Sequence, residues 1–132
     1  MPYLTGLILA LSVSGLATLI GLDRERAFYP TVLMVIASYY VLFAVMGTSS
    51  HAVVVETLVT AGFLLIATIG FKKNLWLVVA ALATHGIFDF FHGRLVANPA
   101  VPAWWPAFCL TYDITAAAFL AGLLKRGSHL DA

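Results

Sequence analysis

The stretch LWLVVAALATHGIFDFFH (residues 75–92) decides how this chain is read. It opens on nine apolar residues and then presents His85, Asp89 and His92. At positions i, i+4 and i+7 of a helix turning about 100° per residue, these three side chains fall within roughly 60° of one another. Two imidazoles and a carboxylate are poorly matched to lipid. Ionisable groups in such a segment face a cavity, a partner or a bound ion, and they mark function.

The apolar character of that stretch extends along the chain. Of 132 residues, 62% are hydrophobic and only 10% are charged, and the mean hydropathy is +1.00. Soluble domains carry about a quarter charged residues. A spanning helix needs about 20 mostly apolar residues, and five stretches qualify: 3–22, 28–46, 52–71, 75–91 and 106–124. The expected fold is all-α, a single domain over 1–132 built as a bundle of five transmembrane helices. The first stretch lacks a basic leader and is longer than a signal-peptide core, so it reads as a retained helix. Pro30 and Pro106 fall in first helical turns, where a missing N–H costs little. The longest connection, 93–105, holds Asn98-Pro99 and Pro102, which are turn residues.

Five spans put the termini on opposite sides. Arg24, Arg26, Lys72, Lys73, Lys125 and Arg126 gather at one end of the bundle, against Arg94 alone at the other. The positive-inside rule makes the basic end cytoplasmic, the N-terminus external and the C-terminus internal, as in a cell inner membrane. Trp104 and Trp105 suit an outer aromatic belt. Gly6, Ala10, Ser14 and Thr18 recur at every fourth position, and Ala117 and Ala121 repeat the device, so these stripes read as helix packing. Asp23, Arg24, Glu25 and Arg26 read as a solvated turn. A net charge of +1 without a basic run gives no sign of nucleic acid. The single Cys109 excludes an intrachain disulfide and a cysteine-rich metal knuckle.

Depth brings the polar groups together. The fourth span runs outward, so His92 lies near the outer end and His85 about 10 Å deeper, at 1.5 Å per residue. The fifth runs back in, which puts Asp113 level with His85. Glu56 lies within two turns of the outer end of the third span. Glu56, His85, Asp89, His92 and Asp113 therefore share one outer half-membrane layer. Three ionised, unpaired carboxylates are untenable there. Either the acids hold protons, or the imidazoles are their cationic partners, or a bound cation organises the cluster. Imidazole and carboxylate together suit Zn²⁺ foremost, with Fe²⁺ or Mn²⁺ next, and suit Ca²⁺ or Mg²⁺ poorly. Cys109 shares the Asp113 face as a ligand, a nucleophile or a core residue. His51 is a ligand or an interfacial residue, His129 sits in a polar tail, and Tyr39 and Tyr40 are phenol donors or packing groups. Nucleotide loops, a serine nucleophile elbow and the His-Glu-x-x-His helix are absent.

With Glu56, the His85, Asp89 and His92 trio, Asn98-Pro99-Ala100-Val101-Pro102 and the Cys109 and Asp113 pair in order, the chain resembles a family of small bacterial multi-spanning membrane proteins known as a domain of unknown function. The resemblance covers about 56–121 and implies a helical membrane bundle without lending an activity. The chain is also loosely similar to intramembrane zinc hydrolases of the ceramidase and adiponectin-receptor kind. Those gather His and Asp on seven spans rather than five, with different spacing.

The leading functional expectation is a metal-dependent membrane hydrolase of a lipid-like substrate. His85, His92 and one of Asp89 or Asp113 would hold the ion, and Glu56 or the spare Asp would act as general base. The 93–105 loop would serve as a lid. The alternatives are a metal-ion or proton transporter, a redox protein holding haem or quinone, and an accessory subunit of a membrane complex. Membrane lipids are expected partners, and a homo-oligomer is compatible with the sequence.

Overall fold

Backbone amides in a hydrocarbon environment must be satisfied within their own segment, and a helix does this residue by residue. The computed structural model describes residues 1–127, and the proposed tail residue His129 lies outside them. It contains α1 (Pro2–Ile20), α2 (Phe28–Met46), α3 (Ser50–Lys72), α4 (Trp76–Leu95) and α5 (Trp105–Lys125), with a 3₁₀ turn at Leu22–Arg24. All five α-helices are long and apolar enough to cross a membrane, the architecture of a multi-pass membrane protein. Among the described residues there is no strand.

Local chemistry sets the helix ends. Pro2 and Pro106 occupy the first turns of α1 and α5. Gly21 closes α1 in the left-handed conformation (φ 79°) and donates to the Ala17 and Thr18 carbonyls, a position that favours glycine. Ser49 caps α3 by accepting from the Ala52 amide at 3.2 Å. Asn74 Oδ1 accepts from the Trp76 amide at 2.9 Å and starts α4. That helix runs four residues beyond the expected limit of Phe91, to Leu95. His92, Gly93 and Arg94 are polar or small, yet none of them prevents helical continuation. His92 is consequently held inside a helix rather than at its mouth.

The Asp23 turn departs from the solvated hairpin expected. Asp23 is buried, and its Oδ2 accepts from Thr18 Oγ1 at 2.6 Å. Arg26 donates to the Phe71 and Gly70 carbonyls at the end of α3, where a cation meets the negative pole of the helix.

The helices form an incomplete ring. α5 packs along both α4 and α1, and α3 lies between α2 and α4. α2 meets α5 only through side chains, with Tyr39 and Phe43 on Trp105 and Leu33 in one core with Leu120, so a cleft opens between the two helices. Thr60 Oγ1 donates to the Ala37 carbonyl at 2.9 Å and ties α3 to α2. Near the basic end, Tyr29, Leu33, Ile36, Val78, Leu82 and Leu120 pack into a dry core. Leu, Ile and Val side chains cover the outside instead, including Ile8, Leu16, Leu19, Leu58 and Leu65. In water, so large an apolar surface would drive association; in lipid it is solvated.

Candidate metal centre

α4 turns His85, Asp89 and His92 onto one stripe, and each is 1% exposed or less. The opposing residue on α5 is Asp113, also fully buried. Gly86 permits that approach. A Cβ added there would stand 3.0 Å from the Asp113 Cβ and 3.3 Å from the Leu110 carbonyl. Any larger residue would push α5 away from His85.

His85 Nδ1 lies 2.6 Å from Asp113 Oδ2 and 3.1 Å from Asp89 Oδ2. One ring nitrogen carries at most one proton, so it cannot donate fully to both carboxylates. The Asp113 contact has hydrogen-bond geometry. Asp89 Oδ1 and Asp113 Oδ1 have no well-formed hydrogen bond among the described residues, and Asp89 Oδ2 has the His85 contact, with the buried Tyr40 hydroxyl beside that carboxylate. Buried carboxylate oxygens so placed suit a proton, a water or a cation as occupant.

The donor set meets the requirements of an ion. Ligand atoms of His85, Asp89 and Asp113 all lie within 4.8 Å of one another. One imidazole nitrogen with two carboxylate oxygens suits Zn²⁺, Fe²⁺ or Mn²⁺, and three protein ligands leave a position open for chemistry. Ligands on one tetrahedral ion at about 2.0–2.2 Å stand roughly 3.3 Å apart. A metal ion held here would take the place of a proton on His85 Nδ1.

The remaining two expected ligands form a separate pair. His92 Nε2 lies 2.7 Å from Glu56 Oε1, which joins α4 to α3. Tyr40 stacks on the His92 ring at 4.0 Å and 14°, and Phe88 closes its edge at 5.5 Å. The sequence placed His92 among the metal ligands; in the structure its Nε2 is engaged by Glu56, while both aspartates converge on His85. The shared layer expected from depth thus divides into two pairs of helix contacts, α4 with α5 at His85 and α4 with α3 at His92.

The other candidates divide clearly. Cys109 is buried one turn from Asp113 and lines a cleft together with it. His51 is exposed in the first turn of α3. Tyr39 packs edge-on against Trp105 at 5.3 Å. The carbonyl of Tyr40 accepts from Asn98 Nδ2 at 3.2 Å, and its buried hydroxyl lies beside Asp89. Asn98 thereby pins the long loop against α2 above the site. Gly86 was the residue missed. A glycine between two ligands on the buried face of a helix is a signal for close approach.

The chain matches no protein-family model, no curated protein and no solved structure.

Proposed function

We propose that this is an intramembrane metal-binding protein, a metal-dependent hydrolase of a lipid-like substrate. The observation that carries it is the convergence of His85 Nδ1, Asp89 and Asp113, whose ligand atoms lie within 4.8 Å of one another in a buried space. A transition-metal ion held there would supply an acidified water and polarise a substrate carbonyl. His85, Asp89 and Asp113 are its holders. Of the two acids read as candidate bases, Asp113 lines the cleft, and its Oδ1 is free to take a proton. Glu56 is engaged with His92 and acts by fixing α3 against α4.

A metal or proton carrier needs a continuous path. Against that alternative stands the packed layer of Leu33, Ile36, Leu82 and Leu120 on the basic side of the site. The uneven basic residues support a cytoplasmic location for that end, which would set the centre in the extracytoplasmic half of an inner membrane. The ordered pattern from Glu56 to Asp113 is proposed as the mark of a small bacterial membrane family.

Elemental analysis of detergent-purified protein tests the centre. One equivalent of Zn, Fe or Mn is expected, lost in His85→Ala and Asp113→Asn and kept in Lys73→Ala. The loaded protein should release fatty acid from a neutral-lipid panel in a chelator-sensitive manner. Protein that holds no transition metal, and gains neither stability nor hydrolysis on addition of these ions, overturns the reading.

A further inference from the structure

The gap in the helix ring is a formed cleft of about 440 Å³. On one wall α2 presents Phe28, Val32, Val35 and Tyr39, a single helical stripe. On the other, α5 contributes Asp113 and Cys109. Trp105 lies towards the Tyr39 end, with its ring 5.3 Å away. Two features separate this cleft from an ordinary lipid-facing groove. Asp113 is completely buried and its Oδ1 has no partner, and the Trp105 Nε1 donor is buried and equally unmatched. A hydrogen-bond acceptor and a hydrogen-bond donor thus go unused along one wall of an otherwise apolar space.

We propose that this cleft binds one neutral, singly acylated lipid, with a hydroxyl- or amide-bearing head between Trp105 and Asp113 and its chain along α2 toward Phe28. The proposal deepens the hydrolase reading and rests on it for the chemistry at Asp113. Charge decides the head. No Lys or Arg lines the cleft, so in protein stripped of metal a phosphate or a free carboxylate would be buried there without a cation. A neutral head can donate to Asp113 and accept from Trp105. Size decides the tail. From Phe28 to Tyr39 the stripe runs about 16 Å at 1.5 Å per residue, close to one leaflet of a hydrocarbon core about 30 Å thick. A volume of about 440 Å³ over that length accommodates one chain rather than two.

The test uses full-length protein in nanodiscs with Trp76→Phe and Trp104→Phe, so that Trp105 reports alone. The probe is a monoacylglycerol brominated on its chain. In protein stripped of metal by chelator, saturable quenching is expected, displaced by unlabelled monoacylglycerol and not by an equal concentration of fatty acid or lysophosphatidylcholine. Val35→Phe, which fills the cleft, and Asp113→Leu, which removes the acceptor, should each weaken binding at least tenfold. The competition needs no variant in the cleft, so it decides even if those two fail to fold. Equal quenching by all three lipid classes means annular lipid only and overturns the proposal. Metal content is measured on the same preparation before it is stripped. Metal without saturable probe binding sinks the cleft alone; probe binding without metal sinks the metal centre alone.

Discussion

At the scale of single residues, the buried cluster is two units with different duties. His85, Asp89 and Asp113 share a polar space with unmet oxygens, while Glu56 and His92 satisfy each other at 2.7 Å. A satisfied buried pair is costly to break from one side, because the survivor is left desolvated. Losses of about 3–5 kcal/mol are typical. Glu56→Ala and His92→Ala should each destabilise the protein on that order. The double variant should cost clearly less than the sum, the signature of a direct pair in a double-mutant cycle. Glu56→Gln should retain the metal that Asp113→Asn loses. Additive single-variant losses, measured by unfolding in detergent, would show that the pair is not coupled. Loss of metal in Glu56→Gln would instead return Glu56 to the ligand set.

At the scale of elements, the contact between α4 and α5 determines whether the centre exists. It depends on Gly86, whose missing side chain lets Asp113 reach His85. Gly93, on the same helix, has nothing within 4 Å of an added Cβ. The two glycines therefore make an internal comparison. Alanine is the better helix former by about 1 kcal/mol, so Gly93→Ala should be neutral or slightly stabilising. Gly86→Ala should lose up to about 2 kcal/mol despite the same propensity gain, since forcing a methyl into a filled interface costs about 1–3 kcal/mol. It should also bind metal more weakly. Equal melting temperatures and equal metal content for both variants would remove the close-approach argument. The ligand stripe on α4 was legible in the sequence because helical spacing fixes which residues share a face. Its pairing was not. Whether Asp89 turns toward His85 or His92 depends on side-chain rotamers and on where α3 and α5 press in, neither of which is encoded in spacing.

At the scale of the whole molecule, the five spans were legible because lipid imposes length and polarity on every segment. The open seam between α2 and the α1–α5 pair was not, since hydropathy says which faces meet lipid or protein only where small and large residues segregate. Tyr39, Val35 and Phe28 look like ordinary lipid-facing residues until α5 is seen to stand away from them. The burial of Asp23 was missed for a related reason: its partner Thr18 is a weakly polar residue in an apolar helix. Orientation, by contrast, is a global property carried by a few charges. Attraction of basic residues to an anionic cytoplasmic leaflet is worth roughly 1 kcal/mol each, and the basic residues are six at one end and one at the other. That asymmetry predicts the outcome of cysteine labelling in intact cells. His51→Cys, exposed beside the start of α3, should react with a membrane-impermeant maleimide applied outside. Lys73→Cys, exposed just beyond the far end of the same helix, should react only after permeabilisation. Buried Cys109 should contribute no background. The reverse pattern would turn the bundle over and put the His85 centre in the cytoplasmic half of the membrane. Labelling of both sites from outside would mean that α3 does not cross.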